Sequence, residues 1–337
     1  MRAIAYQTAH AITDTTGLTD VDLPAPTATG HDLVVRVKAV SVNPVDTKVR
    51  RSASADAGGW KVLGWDAAGV VEAVGPDVTR FQPGDEVFYA GAINRPGTNA
   101  ELHAVDERLV GHKPKSLDFT AAAALPLTAI TAWEMLFDRL DVARPVPGAA
   151  NAILIIGGAG GVGSVAIQLA RALTDLTVIA TASRPETQAW VKDLGAHHVL
   201  DHSQPLAPQV AALGLGQPGF VFSTTNTDDH FDQIVELIAP QGRFGLIDDP
   251  AVLNALPLKR KSISLHWELM FTRSLFSTPD MVRQHDLLED VSRLVDSGAV
   301  RTTLSDSFGT ITAENLKRAH ALLESGKAKG KIVLTGF

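Results

Sequence analysis

Residues 151–163 read Asn151-Ala152-Ile153-Leu154-Ile155-Ile156-Gly157-Gly158-Ala159-Gly160-Gly161-Val162-Gly163, and this stretch decides the fold. The apolar, largely β-branched run at 152–156 is too short for a helix and has no polar face. That pattern predicts a strand buried on both sides in a parallel sheet. A glycine turn follows, and then Ser164-Val165-Ala166-Ile167-Gln168-Leu169-Ala170-Arg171, with apolar residues at helical spacing. Gly158, Gly160 and Gly163 satisfy G-x-G-x-x-G between strand and helix. Where there is no Cβ, the backbone can approach a pyrophosphate closely, and the N–H groups that open the next helix face the anion. Three glycines alone are a weak signal in a chain with 28 of them. Their strand–turn–helix setting is what predicts a dinucleotide site.

Downstream, strands are predicted at 176–181, 198–200, 220–222 and 243–247, with helices at 185–194 and 229–239 between them. This βα succession predicts a doubly wound parallel sheet. From about Ser262 the pattern stops, and two amphipathic helices, 280–297 and 313–325, lead to a terminal strand at 331–335. Upstream, residues 1–125 hold short strands punctuated by Gly and Pro, at 2–6, 33–42 and 69–75, with a turn and strand over 81–88. They predict a partly closed β-barrel. A helix is expected over 120–140, with Pro126 as a break or a start. The terminal strand needs a partner, and the β-rich first part is its natural host. The expected organisation is therefore one domain from 1–125 and 265–337, with a nucleotide-binding domain, 126–264, inserted in it.

Composition narrows the function. The formal net charge is −7, and no clustered basic run is present, which argues against a nucleic-acid surface. Cys is absent, so disulfides and thiolate metal sites are impossible. No apolar run reaches membrane-spanning length, and Met1-Arg2-Ala3-Ile4-Ala5-Tyr6 runs directly into a strand pattern without a visible signal peptide. A cytoplasmic protein is expected.

In dinucleotide folds an acid about 20 residues beyond the glycines takes the ribose hydroxyls of NAD. Here the corresponding place reads Ala180-Thr181-Ala182-Ser183-Arg184-Pro185-Glu186. Ser183 offers a hydroxyl and Arg184 a forked cation, both suited to a 2′-phosphate, so NADPH is favoured. The alternative is that Arg184 is a solvated loop charge and Glu186 reaches the ribose.

Several blocks, taken together and in order, resemble the medium-chain dehydrogenase/reductase superfamily. They are Ser41-Val42-Asn43-Pro44-Val45-Asp46, Gly64-Trp65-Asp66-Ala67-Ala68-Gly69-Val70-Val71, Phe81-Gln82-Pro83-Gly84-Asp85-Glu86-Val87, Ala124-Leu125-Pro126-Leu127-Thr128-Ala129-Ile130-Thr131-Ala132, the glycine turn, and 326–334. Within the superfamily the chain looks like the zinc-free quinone oxidoreductase branch, near proteins labelled zinc-type alcohol dehydrogenase-like. The resemblance implies a GroES-like barrel domain, an inserted Rossmann domain and a coenzyme in the cleft between them. It also implies NADPH-dependent reduction of a quinone or conjugated carbonyl by a homodimer. The catalytic zinc ligands of the alcohol dehydrogenases would be two Cys and one His. Their places here hold Asn43, Trp65 and Leu127, so no metal is expected.

The resemblance also assigns residues. Gly160, Gly161 and Val162 would meet the pyrophosphate, and His202 the adenosine phosphate. Thr224 and Ile247 lie at strand carboxyl ends, where ligands of such sheets bind, and Lys327 would close the nicotinamide side. Asn43, Asp46, Trp65 and Thr128 are the candidates nearest the chemistry. Each has a plainer alternative. Asn43-Pro44 is also a turn pair, Asp46 also a backbone acceptor, Trp65 also a packed wall, and Thr128 also a helix cap. An NADPH-binding sensor or a crystallin-like structural protein is the competing function. The run His266-Trp267-Glu268 receives no chemistry at this level.

Overall fold

The computed structural model describes residues 1–14 and 17–337. They divide into two compact units, Met1–Ile130 with Phe271–Phe337, and Thr131–Met270. The first seam falls after 125 because Leu127 is bound into the first unit through Asp66. The second falls after 264 because the nucleotide sheet takes one more strand.

In the first unit, β1 (Arg2–Tyr6), β2 (Thr19–Asp22) and β3 (Asp32–Val42) are followed by helix α1 (Pro44–Ser52). Strands β4 (Lys61–Val62), β5 (Ala67–Val74), β6 (Glu86–Tyr89), β7 (Leu102–Asp106) and β8 (Val110–His112) come next. β1 pairs antiparallel with β2 and β4. β3 pairs antiparallel with both β5 and β7. The helix expected over 120–140 is three pieces: α2 (Phe119–Ala123), α3 (Pro126–Trp133) and a π-helical turn, Glu134–Arg139. Pro126 lacks the N–H an unbroken helix would need and opens α3 instead.

The second unit opens with β9 (Ala150–Ile156), α4 (Gly161–Leu173), β10 (Thr177–Thr181), α5 (Pro185–Asp193) and β11 (His198–Leu200). It continues with α6 (Leu206–Ala212), β12 (Pro218–Ser223), α7 (Thr227–Leu237), β13 (Arg243–Leu246) and β14 (Ser264–Trp267). The sheet order is β11-β10-β9-β12-β13-β14, and every pairing is parallel. The order reverses beside β9, which places the glycine turn at the topological switch point, where such sheets bind ligands. Leu154, Ile156, Val221, Phe244 and Leu246 are fully buried in its core. β14 corrects the reading that the pattern stops at Ser262. Only a 3₁₀ turn, Leu256–Lys261, lies between β13 and β14, so the strand carries no preceding α-helical signal.

The chain then returns to the first unit with α8 (Thr272–Leu275), α9 (Arg283–Asp296), β15 (Leu304–Ser307), α10 (Ala313–Glu324) and β16 (Lys331–Thr335). β16 pairs antiparallel with β3, Ile332 opposite Val42, and parallel with β15. The terminal strand thus finds the host its sequence requires.

Candidate functional site

In the second unit the glycine turn mixes residues the fold needs with one it does not. Gly157 has φ +77°, a conformation that favours glycine. A Cβ on Gly158 would meet the Ala180 methyl at 2.9 Å, and one on Gly163 would meet the Gly158 Cα at 2.7 Å. Those two glycines serve close helix–strand packing. Gly160 is exposed, and a Cβ there would meet only the Gly157 carbonyl oxygen, at 3.4 Å. Nothing in the protein demands its lack of a side chain, which leaves a ligand as the reason. Gly160 is also the N-cap of α4, and no side chain caps that helix. The first-turn N–H groups of Gly161, Val162 and Gly163 are thus open to an anion. The turn fits a dinucleotide.

Around the turn, Thr224 donates through its N–H (3.1 Å) and its Oγ1 (2.9 Å) to the Ile156 carbonyl. Ile247 follows β13 and is half-buried. The Gly157 N–H donates to Thr181 Oγ1 at 3.0 Å, and the same hydroxyl lies 3.0 Å from Nδ1 of His202. His202 lines a cavity of about 350 Å³ with Ser203, Asn226, Asp229 and His230. Beyond β10, Ser183 is half-buried and Arg184 is the N-cap of α5. Arg184 Nε lies 3.0 Å from Glu186 Oε1, so the two residues set in opposition by sequence pair with each other.

A second polar group lies under β14. Arg139 Nε is 2.7 Å from Glu268 Oε2, and the Glu134 carboxyl is the neighbouring acid. Burial, then the neighbouring Glu134, pushes the Glu268 carboxyl up to about 8.

The first unit gathers four buried polar side chains. Asn43 lies between β3 and α1, as the N-cap of α1. Its Nδ2 donates to Asp66 Oδ2 at 3.0 Å, and its Oδ1 accepts from the Lys331 ammonium. Asp46, one turn on, accepts from the Asn43 N–H at 2.7 Å. Asp66 Oδ1 accepts from the Leu127 N–H at 2.9 Å, which satisfies an orphan donor at the start of α3. Burial pushes the Asp46 carboxyl up to about 7 against the lowering pull of the Asn43 N–H and Lys331. Burial also raises the Asp66 carboxyl and lowers the Lys331 ammonium, while their attraction opposes both shifts.

These contacts revise three sequence expectations. The Asn43 side chain is already engaged at both ends and is only 1% exposed, so it is not a free donor for a substrate oxygen. Trp65 is a core residue: it donates from Nε1 to the Ala92 carbonyl at 3.2 Å and meets Phe271 edge-on at 6.1 Å. A buried indole so held is not a stacking surface. Thr128 is buried and donates from Oγ1 to the Leu125 carbonyl at 3.0 Å, a bond back to the start of α3 rather than a cap of an N–H. Lys327 lies in the exposed turn before β16. Sequence reading assigned no role to Asp66, Lys331, Thr181 or His230. A carboxylate opening the otherwise apolar run 66–71 was the available signal for Asp66.

A zinc ion does not fit these residues. At the places the resemblance gives its ligands, Asn43 is spent, Trp65 donates rather than accepts, and Leu127 has no side-chain donor atom. Among the described residues no group of three His, Asp or Glu could hold a metal. Among those residues, too, no helix is long and apolar enough to cross a membrane.

Residues 29–115 match the alcohol dehydrogenase GroES-like domain family, and residues 194–334 match the zinc-binding dehydrogenase family. A zinc-type alcohol dehydrogenase-like protein of Staphylococcus aureus (strain MSSA476) is 44% identical over 313 residues, 92% of each chain. A solved structure from Rhizobium etli CFN 42, described as a candidate zinc-dependent alcohol dehydrogenase, is 67% identical, with TM-score 0.99 over 100% of this chain and 98% of that one. The quinone oxidoreductase of Pseudomonas syringae pv. Tomato DC3000 is 27% identical, with TM-score 0.82 over 99% of each chain. The fold and the glycine turn therefore define a nicotinamide-dependent oxidoreductase. The chain belongs to the medium-chain dehydrogenase/reductase superfamily, among its zinc-type alcohol dehydrogenase-like proteins.

Proposed function

We propose that this oxidoreductase uses NADPH to reduce a quinone or an α,β-unsaturated carbonyl and does so without zinc. The observation that carries the reading is what stands at the three zinc-ligand places: a spent amide, a core indole and a leucine. With no Lewis acid to polarise a simple alcohol or ketone, the acceptor must be electron-poor by itself. A conjugated carbonyl meets that need, because the incoming charge spreads onto a distant oxygen.

When bound, the nicotinamide supplies the hydride, and the chain's own residues bind and orient. Gly160, Gly161 and Val162 offer backbone N–H groups to the pyrophosphate, within the turn shaped by Gly158 and Gly163. Ser183, Arg184 and His202 are assigned to the adenosine phosphate, which favours NADPH over NADH. Thr224 and Ile247 border the same sheet end, and Lys327 rests on the resemblance alone. Asn43, Asp46 and Thr128 act as positioning residues that hold the starts of α1 and α3. The proton that follows the hydride is assigned to water. Both tyrosines are buried and engaged, Tyr6 with the Ala53 carbonyl and Tyr89 with His103, and burial raises both phenols. The resemblance adds a homodimer, which light scattering checks, and the cytoplasmic location expected from the Cys-free composition is checked by cell fractionation.

The test is NADPH oxidation by purified protein against simple quinones, enones, aldehydes and ketones, with metal analysis in parallel. Turnover confined to the conjugated acceptors and unaffected by chelator is expected. Turnover only of simple alcohols, lost to a chelator and restored by zinc, would overturn the reading. Tight NADPH binding without turnover on any acceptor would leave the sensor or structural alternative.

A further inference from the structure

Two imidazoles face one cavity, His202 just beyond β11 and His230 in α7. His202 and His230 have ring centroids 6.2 Å apart and planes inclined by 50°, and both line the space of about 350 Å³. That volume lies within the range of ligand pockets. His202 is oriented from the glycine turn itself. The Gly157 N–H donates to Thr181 Oγ1, and Thr181 is fully buried. The same hydroxyl lies 3.0 Å from the His202 Nδ1. That contact fixes the orientation of the ring.

We propose that His230 joins His202 in receiving the 2′-phosphate of the coenzyme as an imidazole–imidazolium pair, so that NADPH binding takes up about one proton from solvent and NADH binding takes up none. The inference rests on the NADPH reading and deepens it.

The charges around the pair support the linkage. Burial lowers both imidazoles, so both are neutral near neutral pH. The Arg184 charge depresses His202 further and Asp201 opposes it. His230 is depressed by His202 and raised by Asp229 and Asp248. With both rings neutral, Asp229 is the carboxylate left lining the cavity, and it repels a phosphate. Protonating one of the rings cancels that negative charge. A phosphate dianion placed there stabilises the protonated ring, so binding and proton uptake favour each other.

The experiment is calorimetric titration of the whole protein with NADPH and with NADH, in buffers of different ionisation enthalpy, repeated from mildly acidic to mildly alkaline pH. The expected result is proton uptake with NADPH alone, and NADPH affinity that rises up to about tenfold per pH unit lowered above the free pKa values. His230→Gln should lose the uptake and flatten the NADPH profile while its NADH affinity stays unchanged. His202→Gln should do the same, with thermal unfolding followed to show that the turn persists. Arg184→Ala should weaken NADPH at every pH yet keep the slope. Equal proton uptake for both coenzymes, or a slope unchanged in both histidine variants, overturns this inference and leaves the NADPH reading standing. No preference for NADPH at any pH removes both.

Discussion

Lys331 Nζ lies 3.1 Å from Asp66 Oδ2 in the first unit, and neither side chain is more than 3% exposed. The pair joins the first residue of the terminal strand to the residue that caps α3. Its charges are compensated by each other, by Asn43, by the Val42 carbonyl that accepts from the ammonium at 2.9 Å, and by the Leu127 N–H. Removing one partner leaves a buried charge without its counterpart, which costs about 3–5 kcal/mol. Lys331→Met and Asp66→Asn should each destabilise by that order, and the double variant should recover a large part of the loss. Urea unfolding of all four proteins measures the coupling; strictly additive losses would refute it.

The glycine turn divides into two kinds of position. Gly160→Val should fold as the parent does, because its Cβ meets only the Gly157 oxygen at 3.4 Å, and it should lose coenzyme binding through steric conflict. Gly163→Val should instead unfold at a lower temperature, since its side chain would drive into the backbone of Gly157 and Gly158. Thermal melts read beside quenching of tryptophan fluorescence by coenzyme separate the two. Intact NADPH binding by Gly160→Val would reject the pyrophosphate assignment.

Arg184 and Glu186 pair at 3.0 Å on a partly exposed surface, so Glu186 competes with any phosphate for the guanidinium. Arg184→Ala should lose a charge-assisted hydrogen bond, about 1.5–3 kcal/mol of NADPH affinity, and leave NADH nearly untouched. Glu186→Gln should act oppositely and strengthen NADPH. A weakening of NADH by Glu186→Gln would show instead that the carboxylate holds the ribose.

Glu268 makes stability depend on pH with a definite sign. Its ordinary value is 4.5, and the fold holds it at about 8. Below pH 4.5 the carboxyl is protonated in both states and contributes no difference. Between 4.5 and 8 the folded state keeps a proton that the unfolded chain releases, so stability falls as pH rises, and above 8 the loss is complete. Glu268→Gln should therefore gain melting temperature relative to the parent at pH 8 but not at pH 5. A difference independent of pH would show that Glu268 is ionised throughout.

The nucleotide-binding fold was legible because its signals are local. The run 152–156, the glycines and the helical spacing after them lie within twenty-one consecutive residues. β14 was not legible, because Ser264-Leu265-His266-Trp267 has no apolar run and no α-helix before it. Its place is set by pairing with β13, Phe244 opposite Leu265. The polar cluster was half legible. Asn43 and Asp46 stood out within one short block, but the partners that engage them, Asp66 and Lys331, come from distant sequence. Neither the spent state of Asn43 nor the core position of Trp65 can be inferred from neighbours in the chain, since both follow from tertiary contacts. His230 lies within an amphipathic helix, where a histidine reads as one more polar residue.

β16 closes against β3 at the far end of the chain, and this sets an order of assembly during synthesis. Most chains complete their first domain while the rest is still being made. Here β9 to β14 are all translated before β16, so the inserted unit can form its sheet while β3 still lacks one neighbour. Throughout that interval Asp46 and Asp66 have no lysine to meet them. A nascent chain arrested before residue 331 should therefore hold a folded middle flanked by an unfinished beginning. Synthesis of residues 331–335 supplies both the missing strand and the missing cation in one event.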